Sequence, residues 1–291
     1  MQSPIQSIAL AGGGRVTSAI LRSLPPLQPT VLGAHVRRPA RWAELQSQGL
    51  LPQSARRLEI GELYEAEVIF IAVADDAFAP FVQALRAEDP GPARRKTRLV
   101  IHASGAQGRA GLESLEGRGM QLAMMHPLRS LPEGSRLDAS PVVIQGDEEA
   151  RESLLALARC MGARPLWCPD LEPRLYHAAA ALLANGFTAL FSAGLGLLRA
   201  AHADCLGQRE ALDLVVSSLD PLESMTPEEA LTGPIHRGDV LLVTCHLEAL
   251  AAEAPDMLPL YKALMRQALV LTSPQDLPPK AHDSLTDLLA P

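Results

Sequence analysis

The sequence is poor in aromatic side chains, which make up 3% of its 291 residues. Platforms that stack the bases of single-stranded nucleic acid need several such rings, so the composition argues against that class of partner. A net charge of −7 points the same way, because no basic face is forced by the total. Cysteine is scarce too. Cys160, Cys168, Cys205 and Cys245 lie far apart with no Cys-x-x-Cys, the pattern of reduced thiols in a cytoplasmic protein. No His/Cys/Glu group has metal-ligand spacing, so no metal is expected. The P-loop pattern Gly-x-x-x-x-Gly-Lys and the nucleophile-elbow pattern Gly-x-Ser-x-Gly are both missing, and no cysteine has the partner motif of a nucleophile. No basic segment followed by an apolar one marks a signal peptide at the start.

One further absence tests this picture. From Leu175 to Leu198 there is no Asp, Glu, Lys or Arg. That length can cross a bilayer. The run is mostly alanine and glycine, however, with His177, Asn185, Thr188 and Ser192 inside it. Alanine gives little insertion energy, and Asn and His cost some. The preferred reading is a helix buried on all sides in a large or dimeric protein, with no membrane.

What is present begins at the start of the chain. The apolar run Ser7–Ala11 meets Gly12, Gly13 and Gly14, and a helical pattern follows from Arg15. A strand that turns sharply into a helix leaves the helix N-terminus bare, with unpaired N–H groups and the positive end of the peptide dipole. Such an end holds phosphate. The spacing Gly12-x-Gly14-x-x-Thr17 follows the dinucleotide fingerprint except at its third position, where Gly or Ala is usual. Gly12, Gly13, Gly14, Arg15 and Val16 are therefore the candidates for a pyrophosphate. The second strand, Thr30–Val36, ends in Arg37 and Arg38, and no acid stands between Gly14 and Glu44. An acid about twenty residues beyond the glycine turn would suit the ribose of NAD, whereas arginine suits the 2′-phosphate of NADP. NADP is expected, with NAD possible.

Strands and helices then alternate. A helix over Trp42–Gly49, a short strand over Leu58–Ile60, the buried strand Glu67–Val73, a helix over Ala77–Glu88 and strands at Leu99–His102, Met120–Met125, Pro141–Gln145 and Arg164–Cys168 give an α/β, doubly wound sheet of Rossmann type. Ligands of such sheets sit beyond the carboxyl ends of the strands. Val73, Ala74 and Asp75 end one strand, and His102 to Gly105, with Ser104, end another, so these should face one crevice. The breaker cluster Pro169–Pro173 marks a boundary between residues 1–168 and an all-α domain over 169–291.

Reduction by a nicotinamide asks the protein for position and a proton, and histidine is a natural donor near neutral pH. His102 and His126 end strands at the expected crevice. His177 and Asn185 begin a small and polar stripe along the long helix. His236 and Arg237 lie in a Gly/Pro loop, and Arg237 is a candidate for a substrate carboxylate.

These segments resemble a known group. The glycine turn, His102-Ala103-Ser104-Gly105, His126-Pro127-Leu128, Tyr176–Asn185 and Ala230–Asp239 together are similar to Rossmann-like bacterial proteins with a C-terminal helical domain of unknown function, a branch of the 6-phosphogluconate dehydrogenase-like superfamily. Relatives in that superfamily are pyrroline-5-carboxylate reductase, ketopantoate reductase and prephenate dehydrogenase. The resemblance implies NAD(P), a small-molecule substrate held between the domains, and a homodimer built on the helical half. Thr17, and Ala74 where relatives have proline, depart from the pattern beside the nucleotide. The expected activity is NADP-dependent reduction of a small keto or imine substrate. A prephenate-type dehydrogenase and a non-catalytic NADP-sensing or scaffold dimer are the alternatives.

Overall fold

The computed structural model describes residues 5–26, 29–203 and 205–291. The chain divides into two compact units, residues 1–185 and 186–291.

The first unit is built on one sheet. In chain order it contains β1 (Ser7–Ala11), α1 (Arg15–Ser23), β2 (Thr30–His35), α2 (Pro39–Ser47), β3 (Arg56–Arg57), β4 (Val68–Ile71), α3 (Asp75–Ala87) and β5 (Leu99–His102). Then come β6 (Gln121–Pro127), β7 (Pro141–Gly146), α4 (Arg151–Cys160), β8 (Arg164–Trp167) and α5 (Pro173–Ala181). The eight strands run in the order β3-β2-β1-β4-β5-β6-β7-β8. All neighbours are parallel except β6 and β7. The order reverses between β1 and β4, which is where doubly wound sheets open their ligand crevice.

Side-chain alternation along the strands explains the two layers of helices. Ile8 and Leu10 of β1, with Val68 and Phe70 of β4, join the core that contains Ile20 of α1 and Leu154 of α4. Ala9 and Ala11, with Ile69 and Ile71, join the opposite core, which contains Phe78, Val82 and Leu85 of α3. Strands apolar at every position are what a sheet covered on both faces requires. Burying a side chain such as Leu10 or Phe70 contributes roughly 1.5–3 kcal/mol. The third strand lies at Arg56–Arg57, two residues before the expected Leu58–Ile60, because Ile60 already turns into a 3-10 segment at Gly61–Glu65.

The second unit is helical: α6 (Phe187–Ala200), α7 (Gln208–Leu219), α8 (Pro227–Ala230), α9 (Val240–Glu253), α10 (Leu258–Val270) and α11 (Ala281–Leu288). Its core gathers Ile235, Val243, Leu269, Leu277 and Leu285. A π segment at Leu182–Gly186 interrupts the long apolar run between α5 and α6. The stretch Pro173–Ala200 is long and apolar enough to cross a membrane by length and composition. It is not buried on all sides as expected: within one copy of the chain Leu182 and Leu183 are 73% and 79% exposed.

Thr17, the irregular position of the glycine fingerprint, is fully buried on α1, and its hydroxyl has no hydrogen-bond partner among the described residues. A buried hydroxyl without a partner costs about 1–3 kcal/mol. Thr17→Val keeps the shape and removes that group, so its unfolding free energy in urea should rise by about 1 kcal/mol; a fall would mean that the hydroxyl is satisfied in solution.

Candidate functional site

The site begins where β1 ends. Gly12 has a φ of +106°, and a Cβ there would lie 2.2 Å from the carbonyl oxygen of Ala72. Only glycine makes this turn against the end of β4. The Gly12 amide donates to the carbonyl of His35 at 2.9 Å, and Ala72 donates to Ala11 at 2.7 Å, so three strand ends close on this one residue. At Gly14, by contrast, a Cβ would meet nothing within 4 Å. Gly14 is also the N-cap of α1, with no side-chain hydrogen bond to the helix and no acid in its first turn. The result is a bare helix end facing open space, suited to an anion.

Two hollows adjoin this turn and share Ala72, Val73 and Ala74. The larger, about 960 Å³, runs from Gly12, Gly13 and Gly14 to Arg37, Arg38 and Arg41. Arg37 and Arg38 are exposed. Arg57 donates to the carbonyls of Val36 and Arg37 and fixes the backbone from which Arg37 projects. Arg41 is more constrained: its Nε donates to the carbonyl of Gly13, and its two terminal nitrogens reach Ser18 and Glu44. It braces the glycine turn from α2.

The smaller hollow, about 340 Å³, is lined by Arg15, Val16, Asp75, Ser104, His126 and His177 among others. Ser104 Oγ donates to Asp75 Oδ1 at 2.6 Å, joining the ends of β4 and β5. On the far wall, His126 Nδ1 lies 2.6 Å from the hydroxyl of Tyr176, and the His177 ring packs edge-on at 6.0 Å. Burial pushes the His126 pKa down to about 4, helped by neighbouring His177 and opposed by Asp75. Burial also pushes the Tyr176 phenol up to about 12. Near neutral pH the imidazole is uncharged and the phenol keeps its proton. Two arrangements satisfy this contact: the phenol donates to Nδ1 and the ring proton sits on Nε2, or Nδ1–H donates to the phenol oxygen.

All eleven residues expected to hold a cofactor line one of these hollows: Gly12, Gly13, Gly14, Arg37, Arg38, Val73 and Ala74 the larger, and Arg15, Val16, Asp75 and Ser104 the smaller. His126 and His177 are brought together as expected. Two candidates are not part of the group. His102 is fully buried, with Nε2 on the carbonyl of Gly108 at 2.6 Å and Nδ1 accepting from the Ser104 amide at 3.1 Å. It is a structural pin for the loop after β5. Asn185 is exposed in the π segment and lines neither hollow. Arg237 is exposed in the loop before α9 of the second unit. Sequence reasoning missed Arg41, Arg129 and the role of Tyr176. Arg41 stands one helical step beyond Arg37 and Arg38, and Tyr176 stands beside His177, but spacing alone does not show which way either side chain turns. Among the described residues no group of His, Cys, Asp and Glu could hold a metal ion.

This arrangement defines a class of fold: a Rossmann-type sheet followed by a helical unit. Solved structures share the fold. A candidate NADP oxidoreductase of Bacteroides fragilis aligns with 91% of this chain and 98% of its own at a TM-score of 0.70 and 21% identity. An imine reductase of Streptomyces aurantiacus aligns with 98% of this chain and 100% of its own, at 0.64 and 13%. A pyrroline-5-carboxylate reductase of Coxiella burnetii aligns with 93% and 100%, at 0.55 and 15%. No curated protein sequence matches the chain. Residues 140–268 match the family described as Domain of unknown function (DUF2520), a span that begins with β7 and β8 of the sheet and runs through α9 into α10.

Burial of His102 makes stability depend on pH. Its pKa falls from 6.5 to about 4 on folding, so between those values the unfolded chain takes up a proton that the folded one refuses. Stability should be unaffected above pH 6.5 and should decline as pH falls toward 4, by about 3 kcal/mol from this residue. Urea unfolding at stepped pH should show the decline, and His102→Asn should make it shallower, leaving the part that His126, shifted the same way, contributes; an unchanged slope would refute the assignment.

Proposed function

We propose that the protein is an NADP-dependent oxidoreductase that reduces the C=O or C=N bond of a small anionic substrate. The observation that carries this reading is the pair of hollows with a common floor, Ala72 to Ala74. Arginines mark one end, a Cβ-free turn the middle and a neutral His–Tyr pair the other end. A dinucleotide has this order of parts. Arg37, Arg38 and Arg41 suit a 2′-phosphate, since guanidinium meets phosphate with paired donors. Gly14 and the first turn of α1 suit the pyrophosphate. The fold likeness to reductases supports the reading without fixing a substrate.

The nicotinamide, when bound, supplies a hydride to the substrate carbon. The chain's own residues supply the proton. His126 Nε2–H can polarise the substrate oxygen or nitrogen, and the phenol of Tyr176 can replace that proton through Nδ1. Arg129 is held on one nitrogen by the carbonyl of Arg136 and the Ser140 hydroxyl. Its remaining donors are available to a carboxylate in the same hollow. Fluorescence titration tests the cofactor assignment. NADPH should bind the wild type in the micromolar range, and Arg37→Ala with Arg38→Ala should weaken it by about 10²-fold while leaving NADH unchanged. Tyr176→Phe should keep NADPH affinity and lose turnover on a panel of 2-keto acids and cyclic imines. Absence of NADPH binding below about millimolar would end the oxidoreductase reading.

We also propose that the exposed apolar stretch receives a second copy of the chain. Ala189, Ala193, Gly196 and Ala200 are small residues at helical spacing along a hollow of about 570 Å³. Such residues let another helix approach closely. Sedimentation should give a dimer without detergent, and Leu183→Glu should shift it to monomer; a species that requires detergent would favour a membrane instead.

A further inference from the structure

A third hollow, of about 110 Å³, lies between α1, the end of α2 and the turn at 132–135. It shares Arg15 with the histidine hollow and Arg41 with the arginine hollow, but most of its wall belongs to neither. Arg15, Ser18 and Arg22 stand on one face of α1 at spacings of three and four residues, which stacks them along the helix. Arg41 and Gln48 approach from α2 and its C-cap.

The charges in this space are not balanced. Arg41 is paired with Glu44 at 2.7 Å. Arg15 and Arg22 have no carboxylate within ion-pair distance among the described residues. Glu133, the single acid in the lining, sits on the exposed turn. Arg22 spends one terminal nitrogen on Gln48 Oε1 at 3.2 Å, and its Nε is buried with no partner among the described residues. An unpaired buried guanidinium N–H is costly and calls for an acceptor. Further donors are at hand. Ser18 Oγ accepts from Arg41, which leaves its own proton to give, and the Gln48 amide nitrogen has none of its hydrogen bonds made among the described residues. Guanidinium, hydroxyl and amide donors thus converge on a space well above the ~15 Å³ that one water needs.

We infer that this hollow binds a phosphoryl group, as inorganic phosphate or as the terminal phosphate of a small monoester. Arg15 and Arg22 make no ion pair among the described residues and outnumber Glu133, the one acid in the lining, so the hollow favours an anion. The tetrahedral oxygens of a phosphate meet donors arriving from α1 and from α2, where a planar carboxylate offers one edge.

Calorimetric titration with inorganic phosphate at pH 7.5, against chloride at matched ionic strength, tests this. Phosphate should bind the wild type in the millimolar range or below. Arg22→Gln should weaken it by about tenfold or more, whereas Arg37→Ala with Arg38→Ala should leave it within about twofold. Where Arg22→Gln loses its circular-dichroism signal, Ser135→Glu on the half-buried end of the turn replaces it, and should weaken binding by about tenfold or more by adding a second carboxylate beside Glu133. Glycerol 3-phosphate binding more tightly than the free ion assigns the hollow to monoesters; the reverse assigns it to free phosphate. The inference is overturned by no binding below about 10 mM, by acetate binding as well as phosphate, by binding that Ser135→Glu leaves unchanged, or by binding that follows Arg37 and Arg38 instead of Arg22.

Discussion

The close approach of Gly12 to the Ala72 carbonyl is the constraint on which the site depends. β1 and β4 are neighbours at the point where the sheet's order reverses, and their ends cannot pass unless one residue lacks a side chain and takes a positive φ. Any other residue would clash with a main-chain oxygen that β4 cannot move without losing its own ladder. Gly14 at the N-cap has room for a side chain and carries none, so the helix end stays bare through the residue chosen there. The contact at Gly12 sets the turn against the end of β4, and Ala72 to Ala74 there line both hollows.

This is why the glycine-turn half of the candidate site was legible in the sequence. The glycines, the arginine-ended second strand and the strand ends at Val73 and Ser104 are local signals, fixed by chain direction and by which end of a parallel strand faces the crevice. The doubly wound class followed from alternation, and strand ends from apolar runs, whereas the antiparallel pairing of β6 with β7 had no local signal. The histidine half of the candidate site depends on long-range placement. His102 and His126 look alike in sequence, each ending a buried strand. They differ because the chain after His102 loops back and puts the Gly108 carbonyl on its ring, whereas the chain after His126 leaves that ring open to the hollow. No local pattern carries that difference. Asn185 was misplaced for a related reason: a regular helix puts it in line with His177, and the π segment breaks that line.

The buried histidine nevertheless serves the site. Its bond to Gly108 holds a loop whose next amide, at Arg109, donates to Gln145 Oε1 at 3.0 Å. The Gln145 amide nitrogen in turn holds the carbonyls of Pro169 and Leu171, at the approach to α5. Glu172 then caps α5 through its carboxylate. The sequence His102, Gly108, Gln145, Leu171 is thus a chain of hydrogen bonds that ends on the helix presenting Tyr176 and His177. A group that shields its own nitrogens from solvent makes a poor proton donor and a good anchor, and the low pKa of His102 reports that role.

The same low pKa has a different meaning at His126. Its hollow already holds fixed positive charge in Arg15 and Arg129. An imidazolium there is disfavoured by burial and by neighbouring His177. On the reading proposed above, a neutral ring separates two tasks: arginines, which do not titrate, would take the ligand's charge, and the His126–Tyr176 pair would be left to move a proton. Such a division also keeps ligand affinity and proton transfer from sharing one pH dependence. In a chain with a net charge of −7, positive charge at the ends of β1, β2 and β6 is a local provision against the composition, which is the stronger reason to read these hollows as sites for anions.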